Sequence, residues 1–191
     1  MFKLTILCVA LLAIRDASSQ TLGKCGGYCP TQFTYVNNPF FKVLGTLNGI
    51  DKCGTRYQKA YFYPRYISAT WIEAKAICQT YGMELASFKT LAEANAVITL
   101  VEMNADLKNR DNLWIFINGV ALAAQSKTEW YWTDSGQKID FVIPWLINQP
   151  DTNGGTEWFL SIGKHNKEQR TAFNDIPGNN FVGIFLCQRC A

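Results

Sequence analysis

The sequence predicts an α+β domain. Two helices with capping boxes stand close together, starting at Thr70 and Thr90. From Leu113 to Cys187 the chain then offers only short β-type runs separated by Gly, Asn, Pro and Asp. Helices first and strands afterwards indicate segregated elements rather than alternating α/β units. The seven cysteines add a third observation, because such usage points to oxidising surroundings.

Residues 1–19 read as a secretory signal peptide. Lys3 supplies the charged start, Leu4 to Ile14 the apolar run, and Ala17-Ser18-Ser19 the small residues of a cleavage site. About ten apolar residues precede Arg15 and Asp16, against roughly 20 needed for a membrane span. No later run is long and apolar enough to cross a bilayer. A secreted, extracellular chain beginning at Gln20 is therefore expected.

Composition excludes several function classes. The chain has 191 residues, 18 basic against 15 acidic, and a net charge of +3. A charged fraction of 17% with 14% aromatics excludes a disordered chain. So small a positive balance gives no electrostatic footprint for a nucleic-acid partner. One histidine, His165, excludes sites built from several imidazoles.

Residues 20–52 form a cysteine-containing N-terminal extension without helical period. Their Gly, Pro and Asn content is turn and loop chemistry, with room for one or two short strands. Tyr57 to Tyr66 is an aromatic-rich strand candidate edged by Pro64. Thr70 and Glu73 form the first capping box, and Trp71, Ala74, Cys78 and Tyr81 recur at 3.6-residue spacing up to Gly82. Thr90 and Glu93 form the second, with Leu91, Ala94, Val97, Ile98 and Val101 on one face. Both stripes are core rather than ligand surfaces. The strand candidates that follow are Leu113–Ile117, Trp130–Trp132, Trp158–Ile162, Thr171–Phe173 and Val182–Cys187.

With these elements in place, residues 53–191 resemble a C-type lectin-like domain, in particular short secreted lectins of the invertebrate type. Trp71, Ala74, Cys78, Gly82, Leu85, Ala86 and Ser87 resemble its first-helix signature. Trp114-Ile115 and Trp130-Tyr131-Trp132 resemble its middle. Gln149-Pro150-Asp151, then Glu157, Asn174-Asp175 and Phe185-Leu186-Cys187 resemble its sugar-binding half. The resemblance implies two helices, mixed short antiparallel sheets and a long loop region that binds calcium and sugar.

It also implies a site. Gln149, Asp151, Glu157, Asn174 and Asp175 would ligate Ca2+ and hydrogen-bond a sugar through the same side chains. The chemistry is apt, because calcium takes six to eight oxygens at about 2.3–2.6 Å and these residues offer amide and carboxylate oxygens. In the family the bond before the proline is cis, which lets both flanking side chains face one ion. The order Gln-Pro-Asp goes with galactose-type sugars, and Glu-Pro-Asn with mannose-type. Glycans or glycoproteins are the implied partners.

The chain departs from the family pattern in several places. The usual second disulfide is absent, with Phe159 and Gly178 at its positions, so Phe159 is expected to pack over Gly178. Phe116 stands where the family often has Gly. Trp158 replaces an acidic residue of an auxiliary site, which implies one calcium. The loop from Thr152 to Thr156 lacks the aromatic that many galactose-binding relatives stack on the sugar.

After removal of Cys8 with the signal, six cysteines remain, an even number that reads as a disulfide framework. The resemblance implies Cys78 with Cys187. The other four allow three connectivities, of which Cys25 with Cys29 and Cys53 with Cys190 is favoured. In the rival reading Cys25 or Cys29 links two chains into a homo- or heterodimer. A non-sugar protein-interaction module on the same fold is the alternative function. An enzyme is not expected, since there is no Gly-x-Ser-x-Gly elbow and calcium ligation is a better use of Asp151 and Glu157 than glycoside hydrolysis.

Overall fold

The computed structural model describes residues 39–51, 53–122, 129–177 and 181–190. The signal peptide and the Cys25–Cys29 pairing lie outside them. Strand β1 (Phe41–Ile50) runs antiparallel to β2 (Arg56–Pro64), and the turn between them is closed by Asp51, whose carboxylate accepts the N–H groups of Cys53 and Thr55. The end of the segment expected to be turn and loop with one or two short strands thus contributes a ten-residue strand to the sheet.

Helix α1 (Trp71–Thr80) starts at the expected capping box. Glu73 N–H donates to Thr70 Oγ1, and Thr70 N–H donates to the Glu73 carboxylate at 2.9 Å. Its buried residues are Trp71, Ala74 and Cys78. Tyr81, placed on that stripe by the spacing, is instead a C-cap residue whose ring packs against Phe41 at 5.3 Å. After the short β3 (Glu84–Leu85), α2 (Leu91–Met103) buries Ala94, Val97, Ile98 and Val101 as its period requires.

The strands are β4 (Leu113–Ala121), β5 (Trp130–Trp132), β6 (Glu157–Lys164), β7 (Ala172–Pro177), β8 (Ile184–Phe185) and β9 (Cys187–Cys190). They complete two sheets, one ordered β1-β2-β9-β3 and the other β5-β4-β6-β7. Pairing is antiparallel throughout except that β8 joins β4 in parallel. The two helices and two sheets are the α+β arrangement the sequence predicts. No helix among the described residues is long and apolar enough to cross a membrane.

Two packed clusters form the core. One, around Phe88, Ile98, Ile115, Leu160 and Phe173, lies between α2 and the second sheet. The other surrounds Trp71, Cys78, Phe116, Phe185 and Cys187 beneath α1. The Cys78–Cys187 disulfide sits in this second cluster and ties α1 to β9 across 109 residues. Phe116 is fully buried, and the space for it comes from Gly183. A methyl group there would lie 2.9 Å from the Phe116 ring.

One buried ion pair crosses the first cluster. Lys59 Nζ lies 3.0 Å from Glu93 Oε1 and donates to Ser87 O at 2.8 Å. The hydroxyls of Tyr57 and Tyr61 donate to the same carboxylate at 3.0 and 2.5 Å. Burial pushes the Lys59 ammonium below its ordinary range, and Glu93 partly offsets that shift. Burial and the Glu93 charge push both phenols upward.

One expectation is corrected. Cys190 stands opposite Lys59, whereas Cys53 lies in the turn beyond Arg56. The strand from Lys59 to Arg56 alone covers about 10 Å, and a disulfide needs Cα atoms within about 7 Å. Cys53 and Cys190 are both disulfide-bonded, and this register keeps them from bonding to each other. Phe159 stacks on Trp71 with ring centroids 4.4 Å apart, and its expected partner cannot be placed beside it. Gly178 lies outside the described residues.

Candidate functional site

Two segments build the site. The first is the turn following Leu146, where Gln149 N–H donates to Leu146 O and the Gln149–Pro150 bond is cis. It continues through a 3-10 turn at Thr152–Gly154 capped by Asp151, whose Oδ1 accepts from Asn153 N–H at 3.2 Å. Positive φ angles at Asn148, Thr152, Asn153 and Gly155 wind this segment tightly. Asn and Gly tolerate that region best, which suits Asn148, Asn153 and Gly155. The second segment is the β6–β7 pair, in which Glu157 stands opposite Pro177 and Ser161 opposite Asn174.

These segments bring Asp151, Glu157 and Asp175 together. One oxygen from each lies within 4.8 Å of the others. Asp151 is exposed, Glu157 half-buried and Asp175 buried. Asp175 anchors the turn, because its Oδ2 accepts from Thr152 N–H at 2.8 Å and its Oδ1 from Asp151 N–H at 3.3 Å.

The two amides differ. Gln149 Oε1 turns back to accept from Asp151 N–H at 3.0 Å. Asn174 is buried, its Nδ2 donates to Asp175 O at 2.6 Å, and its Oδ1 has no hydrogen-bond partner. A buried acceptor of that kind is a costly vacancy unless another group satisfies it.

The carboxylates repel one another. Glu157 is pushed up to about 8, first by burial, then by sharing a proton with Asp151, then by the charges of Asp175 and Asp151. Asp175 is also raised by burial, against the pull of the Thr152 and Asp151 backbone N–H groups. Three carboxylates converge on one point with no cationic side chain paired to them in the described structure. Such a cluster favours a cation.

The distances pass a simple test for calcium. Oxygens bound to one ion at about 2.3–2.6 Å lie at most about 5 Å apart, and this cluster satisfies that limit. The donor set is all oxygen and largely anionic, which suits a hard cation. Of the five candidate residues, the structure brings the carboxylates of Asp151, Glu157 and Asp175 together; of the turn itself, sequence reasoning has less to say. It misses the part played by Thr152, which acts through its backbone N–H and so leaves no signature in residue type.

No family model matches the chain, and no curated protein sequence matches it. Solved structures do. The C-type lectin domain of murine dendritic cell inhibitory receptor 2, in complex with N-glycan, is 21% identical, covers 70% of this chain and 91% of its own, and has a TM-score of 0.54. The C-type lectin CEL-I from Cucumaria echinata is 19% identical over 68% of this chain and 89% of its own, with a TM-score of 0.52. The herring type II antifreeze protein is 25% identical over 70% of this chain and 91% of its own, with a TM-score of 0.51. None of these three is named as an enzyme. The helices, sheets and topology described above, together with these similarities, show that the chain has the α+β fold of the C-type lectin domain.

Proposed function

We propose that the protein is a secreted, calcium-dependent lectin that prefers galactose-type sugars. The observation that carries this reading is the convergence of Asp151, Glu157 and Asp175, with Asn174, whose Oδ1 has no partner, adjacent to Asp175 in the chain. Asp151, Glu157, Asp175 and Asn174 would hold one Ca2+, and Gln149 would join them by releasing Asp151 N–H. The ion would supply a charged anchor for two vicinal sugar hydroxyls. The protein oxygens and amide groups would hydrogen-bond the same hydroxyls and fix their orientation. The galactose preference rests on the Gln149-Pro150-Asp151 order. Secretion rests on residues 1–19 and on the cysteine framework.

A second reading has its own support. Gln149 Oε1 is already satisfied within the turn, and Thr152 to Thr156 offers no aromatic for sugar stacking. Both features suit a protein-interaction module on the same fold. Retention of the mature protein on immobilised galactose separates the two. A lectin is retained in calcium and eluted by chelator and by free galactose, but not by mannose. Failure to bind under every calcium condition favours the interaction module.

A further inference from the structure

A cavity of about 470 Å3 lies apart from the carboxylate cluster, between α2, the segment Pro144–Ile147 and the start of β7. None of the five candidate calcium ligands lines it. Its apolar wall comes from Leu91, Ile98, Pro144, Trp145, Leu146 and Ala172. The volume falls within the roughly 300–1,000 Å3 of small-molecule sites, which combine an apolar wall with a few placed polar groups.

The charge in the lining comes from Arg170. Arg170 and His165 line the cavity and no acidic residue does. The Arg170 guanidinium is exposed and forms no ion pair among the described residues. Arginine stays charged at any working pH and suits carboxylate-like groups. His165 is held at the rim by an edge-on contact with Trp114, ring centroids 4.9 Å apart. Thr171 in the cavity wall is 1% exposed, and its Oγ1 has no hydrogen-bond partner. Its N–H is already taken by Glu102 Oε1 at 2.8 Å. A buried hydroxyl left in this state is satisfied by a bound polar group or by water.

We propose that this cavity is a second ligand site, which takes a small amphipathic anion. The apolar body lies against Ile98, Trp145 and Leu146, and the acidic head meets Arg170 at the mouth. Recognition needs no metal. The site therefore stands whether or not the carboxylate cluster binds calcium.

The test uses the mature protein in chelator, so that the calcium site is silent. The probes are 8-anilinonaphthalene-1-sulfonate and its neutral analogue N-phenyl-1-naphthylamine. The sulfonate should saturate at one per chain. Arg170→Glu should weaken it by about tenfold or more, the effect of a lost charge-assisted contact, and leave the neutral probe within about twofold. Asn95→Trp puts a large ring in the lining and should abolish binding of both, with near-ultraviolet circular dichroism reporting a native fold. Should Asn95→Trp fail to fold, the comparison of the two probes on Arg170→Glu decides alone. No saturable binding, or equal effects of Arg170→Glu on both probes, would overturn the proposal.

Discussion

Thr152 donates its backbone N–H to Asp175 Oδ2 at 2.8 Å, across 23 residues of sequence. This bond joins the turn after Pro150 to β7, so a single buried carboxylate both shapes the candidate site and belongs to it. Asp175→Asn keeps the volume but puts an amide where two acceptor oxygens serve Asp151 and Thr152. Loss of a charged acceptor from such a bond costs about 1.5–3 kcal/mol. More rapid hydrogen exchange at Thr152 should follow in chelator, while relief of the repulsion among the three carboxylates offsets the loss in overall stability. Unchanged exchange at Thr152 would show that Asp175 does not hold the turn.

Glu157 sets a pH dependence whose sign can be worked out. Its folded value near 8 lies above the ordinary carboxylate range, so the folded, metal-free protein holds a proton that the unfolded chain releases. Metal-free stability should therefore be greatest below about pH 4.5 as far as this group is concerned, and fall as pH rises toward 8. Calcium needs the ionised form, so binding at pH 7 should release close to one proton and weaken in acid. Titration calorimetry in two buffers of different ionisation enthalpy measures that proton directly. Heats independent of the buffer would contradict the assignment.

The Lys59–Glu93 pair predicts an asymmetry. Removing one partner leaves a buried charge, which costs about 3–5 kcal/mol, whereas replacing both by apolar residues is often nearly neutral. Lys59→Met or Glu93→Leu alone should thus destabilise far more than the double variant. The tyrosine hydroxyls that donate to Glu93 limit the rescue, because they lose their acceptor. Denaturant titrations of the three variants give the coupling, and additive losses would rule it out.

Phe116 and Gly183 form a complementary pair. Gly183→Ala forces a methyl group to 2.9 Å from the Phe116 ring and 3.0 Å from Trp114 O. Overpacking of this kind costs about 1–3 kcal/mol. Shortening the ring with Phe116→Leu should recover part of that loss, seen as a double variant more stable than the two single losses added together. Additivity would mean that the Trp114 carbonyl, not the ring, sets the limit.

The cysteine framework gives a covalent prediction. Mass mapping of the non-reduced mature protein should find Cys78 joined to Cys187 and no peptide joining Cys53 to Cys190. With six cysteines in the mature chain, Cys25 and Cys29 are the remaining partners for those two. A Cys53–Cys190 peptide would contradict the strand register.

The helices were legible because caps and period are local. Thr70 with Glu73 forms the full box, whereas at Thr90 only the bond from Glu93 N–H to Thr90 Oγ1 forms and the Glu93 carboxylate accepts Lys89 N–H instead. Trp130–Trp132 was legible for the same reason, as a short aromatic run between turn residues. β1 was not, because its strand comes from pairing with β2, and Gly45, Asn48 and Gly49 disguise it. The stacking of Phe159 on Trp71 was not legible, because the two lie 88 residues apart and residue type alone does not encode the contact. The five candidate site residues could be read as a set through the resemblance. Asn174 Oδ1 without a partner, and the cavity beside Arg170, required the tertiary structure.

Calcium titration of the mature protein, followed by calorimetry beside Asp175→Ala, tests the central claim most directly. The account predicts one Ca2+ per chain in the wild type and none in the variant, with galactose binding only to the calcium-loaded wild type. No calcium binding by the wild type, or equal binding by the variant, would contradict it.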